Sequence, residues 1–189
     1  MIFNLLIFAV TFFLVARLFW KDGKWAPENA RGAFRFFTVQ SNALCGAAAL
    51  LRCVLPDAPW TWTFKYIGTA AVTVTLLTVL FFLAPSMGGL APLLKGGELF
   101  MHLLTPLAAI VSFSFFEKRG MGLGTALLGT LPVVLYGLWY LYKVIYAPAD
   151  RRWNDFYGFN KSGKWHGSFV GMMLGGLAVC LGLMALQNL

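Results

Sequence analysis

The chain has 189 residues, of which 59% are apolar and 12% charged, and its mean hydropathy is +0.73. Globular chains are usually about 45–50% apolar, and a soluble domain of this length cannot hide so much apolar surface. The net charge of +8 invites a nucleic-acid partner, but the Lys and Arg residues lie at the ends of apolar runs, as in membrane proteins, which argues against nucleic-acid binding.

Six apolar stretches predict an all-α polytopic membrane protein in which residues 1–189 form a single transmembrane domain. Each stretch has about 18–22 residues, enough to cross a hydrocarbon core of about 30 Å at about 1.5 Å per residue. Short segments rich in Pro, Gly or charge separate the stretches, and the longest polar segment is 147–164. The predicted helices are approximately 2–20, 34–55, 66–84, 99–116, 121–142 and 165–186.

The distribution of Lys and Arg predicts the orientation in the membrane. The loops after the first, third and fifth helices carry most of them: Lys21, Lys24, Arg31, Arg35, Lys95, Lys143, Arg151, Arg152, Lys161 and Lys164. The opposite side carries only Arg52, Lys65, Lys118 and Arg119. Because cytoplasmic loops are enriched in Lys and Arg, we expect this basic face to be cytoplasmic, with both termini outside, in a bacterial cytoplasmic membrane.

The last predicted helix carries Gly167, Gly171 and Gly175 at four-residue spacing. Such a strip lets another helix approach closely, which makes it a packing device and a candidate contact surface for a homodimer.

Polar residues in the second and fourth helices fall on single stripes. Thr38, Ser41, Asn42 and Cys45 share one face of the second helix, and Glu98, His102 and Thr105 share one face of the fourth. Thr38 and His102 each lie about one turn, roughly 6 Å, below the basic face, so we expect them to meet. Pro106 removes the amide that would bond the carbonyl of His102, which either kinks the helix or helps to shape a pocket.

Further polar groups reach the same face, and the opposite face shows no comparable concentration. The fifth helix brings Tyr136 and Tyr140, and the sixth begins with His166. The loop between them, 153–160, contains Asp155 and Asn160 in an aromatic and amide-rich segment suited to capping a cavity. In a bilayer, such polar groups are candidates for function because the protein or a water-filled cavity must satisfy them.

This set of residues supports ester hydrolysis. His102 would take the proton of the Thr38 hydroxyl as its oxygen attacks a carbonyl, and would return that proton to the leaving alcohol. Gln40, Ser41 or Asn42 would stabilise the oxyanion, and Glu98 or Asp155 would orient the imidazole. Other residues expected to line the site are Thr105, Tyr136, Tyr140, Asn160 and His166.

Two motifs, Phe36-Phe37-Thr38-Val39-Gln40-Ser41-Asn42 and His102-Leu103-Leu104-Thr105-Pro106, carry a family resemblance. In them, and in its six-helix layout, the chain resembles the androgen-induced-gene and FAR-17a-like superfamily of small membrane proteins, with bacterial relatives. That resemblance implies hydrolysis of fatty acid esters of hydroxy fatty acids, with Thr38 as nucleophile and His102 as base. For this reading of the site we expect no cofactor and no metal. The chain departs from the family pattern in its shorter length, the Gln40-Ser41-Asn42 run and the 155–160 loop.

Two alternatives from other classes remain open. His102 and His166 could ligate one haem as in a b-type cytochrome, or could hold a metal ion together with Asp155. Alternatively, the same cavity could bind or transport a membrane lipid or fatty acid ester without catalysis, although the sequence contains no repeat of the kind that transporters show.

Overall fold

A computed structural model describes the backbone of residues 1–189 and every side chain except that of Ser162. The chain is almost entirely helical. In chain order its elements are α1 (Ile2–Arg17), β1 (Trp20–Lys21), β2 (Lys24–Trp25), α2 (Pro27–Ala33), α3 (Phe37–Val54), α4 (Pro59–Ser86), α5 (Gly97–Phe116), α6 (Leu123–Tyr146) and α7 (Trp165–Asn188). Single 3₁₀ turns lie at Ala91–Leu94, Ala149–Arg151 and Lys161–Gly163.

Within the described residues, four helices are long and apolar enough to cross a membrane: α4, α5, α6 and α7. The chain is therefore an all-helical protein whose architecture fits an integral, multi-pass membrane protein. The other two predicted spans are also helical, but α1 has only 16 residues. Helix α3 has 18 residues and contains Gln40, Asn42 and Arg52, which lower its hydropathy. Six crossings are thus not confirmed.

The helix ends differ from the predicted ones most at α4. This helix begins at Pro59, seven residues before the predicted start, because proline suits the first turn of a helix, where its missing amide is not needed. Lys65, expected in the preceding loop, lies inside α4 and is fully buried.

A short hairpin joins α1 to α2. Trp20 pairs with Trp25 and Lys21 with Lys24 in an antiparallel ribbon. Asp22 and Gly23 have φ values of 51° and 76°, the positive values that a tight two-residue hairpin turn requires. The Asp-Gly pair is a strong signal for such a turn, since both residue types tolerate this conformation.

Helices α1, α3, α4 and α5 pack around a small buried cluster that includes Cys45, Val72 and Ala109. The approach of α3 to α4 is close, since a Cβ atom at Gly68 would lie 2.9 Å from the Cα atom of Cys45. Helix α7 packs on α4 and α5 through an aromatic cluster around Tyr66 and Phe113. A third cluster joins α6 to α3 and to the 147–164 segment.

Helix α5 widens into a π-helical turn at Phe100–Leu104, which contains His102 and precedes Pro106. Proline has no amide hydrogen to bond the carbonyl of His102, so the regular i to i−4 ladder is interrupted there. Similar π-helical turns lie at Val79–Leu83, Ser112–Phe116 and Tyr142–Tyr146, so the widened turn is not specific to Pro106.

Candidate functional site: a lateral cavity with a hydroxyl-rich end

A cavity of about 850 Å³ lies between α3, α4, α6 and α7. Its wall is mainly apolar, with aromatic side chains from α4, such as Phe81 and Phe82, and a glycine-rich face of α7. The hydroxyl groups in the wall belong to Thr38, Thr75, Thr78, Tyr136, Tyr140, Tyr157 and Ser168. Three of them, those of Tyr136, Tyr140 and Tyr157, lie together where α6 meets the start of α3 and the 153–160 loop, which we call the hydroxyl-rich end. The cavity thus offers a long apolar surface together with a set of hydrogen-bonding groups.

The tyrosines at this hydroxyl-rich end are fixed by backbone partners. The Tyr136 hydroxyl donates to the carbonyl of Arg35 at 2.8 Å. The Tyr157 hydroxyl accepts from the backbone amide of Phe37, the first residue of α3, at 3.1 Å. That amide belongs to the first turn of the helix, where no intrahelical acceptor exists, so Tyr157 acts as a cap. These contacts join α3 to α6 and to the following loop.

The loop 153–160 folds over this end through Asp155. Its Oδ1 accepts from the Tyr140 hydroxyl at 3.0 Å and from the Phe159 amide at 2.7 Å, and its Oδ2 accepts from the Asn160 amide at 2.8 Å. The amide of Tyr157 in turn donates to the Tyr140 hydroxyl at 3.0 Å. Burial raises the pKa of the Tyr157 phenol above its usual range, so the group stays protonated at neutral pH.

Thr38 and His102 have different surroundings. Thr38 lines the cavity, whereas His102 is absent from its lining and bonds in another direction. His102 Nδ1 donates to the carbonyl of Leu93 at 2.7 Å, and Nε2 lies 3.1 Å from the Glu98 carboxylate. Among the side chains that the structure describes, no hydrogen bond joins the Thr38 hydroxyl to the His102 ring.

This arrangement limits what His102 does in the conformation observed. A carbonyl only accepts, so Nδ1 carries a hydrogen and cannot take a proton from Thr38 in this conformation. Nε2 lies 3.1 Å from the Glu98 carboxylate, away from the cavity that Thr38 lines. The orienting role of Glu98 stays a prediction. The Thr38/His102 dyad itself stays a prediction that requires His102 to leave a partner.

The other residues of the second-helix stripe bond their neighbours. Asn42 donates through Nδ2 to the carbonyls of Thr38 at 2.8 Å and Met101 at 3.0 Å, which ties α3 to α5. Ser41 and Thr75 share a hydrogen bond of 2.8 Å between α3 and α4. Gln40 bonds the carbonyl of Phe34 at 2.7 Å and, with Ser41, lines a second groove of about 700 Å³. These contacts are structural in the observed state.

The remaining predicted residues fall in three places. Tyr136 and Tyr140 line the cavity, and Asn160 belongs to the loop that Asp155 organises. Thr105 is buried in α5. His166 is exposed at the start of α7 and stacks on Trp165, with ring centroids 3.6 Å apart. The described residues contain no group of three His, Cys, Asp or Glu side chains placed to hold a metal ion.

A second polar cluster, which sequence reasoning missed, lies at the other end of the bundle. Glu117 Oε1 accepts from Asn4 at 3.1 Å and from Ser112 at 2.9 Å, while Oε2 pairs with Arg52 at 3.2 Å. The expectation that the opposite face has no comparable concentration of polar groups is therefore wrong. The available signal was Asn4 within the apolar run of α1, together with the charged residues Arg52 and Glu117 at the ends of α3 and α5.

Lys65 extends this cluster into the bundle. It lies one turn along α4 from Thr61, whose Oγ1 accepts from Arg52 Nη1 at 3.0 Å. Lys65 is fully buried, and its Nζ has no hydrogen-bond partner among the described residues. A buried ammonium group without a partner costs free energy, because it loses its hydration.

Comparison of the chain with protein-family models, curated proteins and solved structures finds no match. The fold itself defines an all-helical protein in which, among the described residues, four helices are long and apolar enough to span a membrane.

Proposed function

We propose that the protein binds a membrane lipid or fatty acyl ester, with the acyl chain in the cavity between α4 and α7. The observation that carries the proposal is the cavity itself, about 850 Å³ with a largely apolar wall and hydroxyl groups in part of it. Small-molecule sites have about 300–1,000 Å³ and combine apolar walls with a few polar groups that fix orientation. A lipid, with one long apolar part and one polar end, matches this lining.

The glycine strip of α7 forms part of the cavity wall along which the acyl chain is proposed to lie. Gly167, Gly171 and Gly175 line the cavity, and a Cβ atom added at any of them would meet no heavy atom within 4 Å. The strip therefore leaves open space next to the cavity. An acyl chain is the proposed occupant, and a homodimer contact through the same glycines is the alternative that the test below distinguishes.

Substitution at the strip tests this proposal. Gly171→Leu places a side chain in the cavity, whereas Gly182→Leu adds the same side chain at an exposed position of α7 outside the cavity, where a Cβ also meets nothing within 4 Å. We expect Gly171→Leu to lower the amount of lipid that co-purifies with the protein, measured by mass spectrometry, while Gly182→Leu retains it. Equal lipid in both variants would contradict the proposal, and loss of a dimer without loss of lipid would favour the homodimer.

The second candidate is hydrolysis of a fatty acid ester by Thr38, in line with the resemblance to the androgen-induced-gene and FAR-17a-like superfamily. The supporting observation is that Thr38 lines the same cavity as the proposed chain. The mechanism needs His102 to release Leu93 or Glu98 and turn toward Thr38. Release of fatty acid from a long-chain ester should then be lost in both Thr38→Ala and His102→Gln, and partly kept in Thr38→Ser. Hydrolysis that survives in Thr38→Ala rejects this candidate.

We also propose that α1 and α3 cross the membrane, which gives six spans with both termini outside and the basic face cytoplasmic, in a bacterial cytoplasmic membrane. Contacts of Glu117 with Asn4, near the start of α1, and with Arg52, near the end of α3, support opposite directions for these helices. The native Cys53 and a cysteine introduced by Lys24→Cys should then react with a membrane-impermeant thiol reagent from opposite sides. Reaction from the same side rejects six spans.

A further inference from the structure

We propose that the lipid has an anionic phosphodiester headgroup, which Arg35 and Lys143 bind next to the Trp153 indole. This inference rests on the proposed lipid-binding function and specifies the chemical class of its ligand. The two residues come from different elements, since Arg35 precedes α3 and Lys143 lies in the last turn of α6.

One indole ring holds both cations. The Arg35 guanidinium carbon lies 5.9 Å from the Trp153 ring centroid, and Lys143 Nζ lies 5.8 Å from the same ring and 5.0 Å from that of Trp139. The Trp153 amide donates to the carbonyl of Lys143 at 2.9 Å, which fixes the ring against the end of α6. Cation–π contacts of this kind hold the charges in place and leave their hydrogen-bond donors free.

No acidic side chain neutralises the pair. Among the described side chains, no Asp or Glu lies within salt-bridge distance of Arg35 or Lys143. Asp155, the acid of the same loop, uses both oxygens for the Tyr140 hydroxyl and two backbone amides. Two unpaired cations at a membrane face attract anionic headgroups, and the planar guanidinium fork suits phosphate oxygens.

The cation pair lies beside the hydroxyl-rich end of the cavity. Trp153 packs on Tyr140, with ring centroids 6.4 Å apart, and Tyr140 lines the cavity. The Tyr136 hydroxyl, also in the wall, bonds the carbonyl of Arg35. Arg35, Lys143 and Trp153 are not part of the cavity wall and adjoin it through Tyr136 and Tyr140. In the proposed complex the acyl chain occupies the cavity and the headgroup extends past these tyrosines to Arg35 and Lys143. A zwitterionic lipid carries its own cation and gains less from this pair.

The test is competition between two lipids with identical acyl chains. The purified full-length protein in detergent receives equal amounts of dioleoyl phosphatidylglycerol and dioleoyl phosphatidylcholine, and native mass spectrometry counts the lipids retained. We expect a preference for phosphatidylglycerol that falls about tenfold in the double variant Arg35→Gln, Lys143→Gln. The double variant Lys21→Gln, Lys24→Gln removes the same charge from the nearby hairpin and should keep the preference. The pair Arg35→Lys, Lys143→Arg should also keep most of it.

The outcomes separate this inference from the proposed function. Lipid retained without a headgroup preference, or a preference unchanged in the Arg35/Lys143 double variant, overturns the anionic headgroup and leaves the cavity proposal intact. Failure to retain either lipid overturns both. A parallel sample receives millimolar inorganic phosphate in addition to the two lipids. Displacement of phosphatidylglycerol by phosphate would identify a site for the free anion and overturn the lipid headgroup, whereas retention of phosphatidylglycerol supports it.

Discussion

The backbone amide of Phe37, which opens α3, donates to the hydroxyl of Tyr157, 120 residues later, at 3.1 Å. A helix has no acceptor of its own for its first amides, so this phenol oxygen completes the N-terminus of α3 from another part of the chain. The contact connects the helix that carries Thr38 to the loop that covers the cavity.

Loss of that hydroxyl should destabilise the protein. We expect Tyr157→Phe to lower the free energy of unfolding by about 1–3 kcal/mol, because the amide of Phe37 loses its partner while the ring packing stays. Thermal unfolding in detergent measures the change. Tyr142→Phe removes a phenol from an exposed ring and should leave the midpoint unchanged. Equal effects of the two substitutions would show that the cap contributes nothing.

Because of the same phenol, the free energy of unfolding should fall as the pH rises in the alkaline range. Burial raises the pKa of Tyr157 above the value of about 10 that free tyrosine has. The native state thus holds this proton more tightly than the unfolded chain, so its contribution is complete below about pH 10 and is lost as the pH rises further. Between about pH 9 and about pH 11 the wild type should lose more stability than Tyr157→Phe. If the free energies of unfolding of the wild type and of Tyr157→Phe fell in parallel over this pH range, the prediction would be wrong.

Asp155 should be more sensitive to substitution than an exposed acid of the same segment. Asp155→Asn keeps the acceptor for Tyr140 and Phe159 but turns a donor toward the amide of Asn160. We expect a loss of about 1–3 kcal/mol and faster proteolysis within residues 153–160. Asp150→Asn removes only an exposed pair with Arg151 and serves as the control. Proteolysis at the wild-type rate in Asp155→Asn would argue against this organising role.

The ion pair between Arg52 and Glu117 should contribute strongly at the opposite end of the bundle. Both side chains are about nine-tenths buried, and the Glu117 carboxylate also accepts hydrogen bonds from Asn4 and Ser112. Because Glu117→Gln leaves the Arg52 charge buried without a counter-charge, we expect a loss of about 3–5 kcal/mol, measured by thermal unfolding. If Glu117→Gln and Asp150→Asn lowered the unfolding temperature by the same amount, the buried pair would stabilise the protein no more than an exposed pair does.

For Lys65 we expect that substitution stabilises the protein. Its buried Nζ has no partner among the described residues, so Lys65→Met should raise the free energy of unfolding by at least about 1 kcal/mol. Lys118→Met, at an exposed position, is the control. If Lys65→Met destabilises the protein while Lys65→Arg does not, the charge is required where it lies, and this expectation is wrong.

Helical spacing was enough to predict which polar residues share one face of α3 and of α5. It did not predict which residues those side chains contact. Helical spacing puts Thr38 and Asn42 on one face, and in the structure Asn42 is fully buried and Thr38 is half-buried against the cavity. The shared depth of Thr38 and His102 did not settle whether they meet, because helix rotation decides that. His102 instead bonds Leu93, in a 3₁₀ turn that hydropathy does not distinguish from any other loop.

Sequence by itself determined the helical, membrane-compatible character of the chain, the approximate position of every long helix and the aromatic loop 153–160. These properties follow from local composition, since apolar runs of sufficient length must satisfy their backbone groups internally. Only the tertiary structure decided which polar groups share a cavity, the burial of Lys65 and the cluster around Glu117. Such contacts join residues as distant in sequence as Asn4 and Glu117, and they depend on how each helix is rotated against its neighbours, which side-chain spacing alone does not specify.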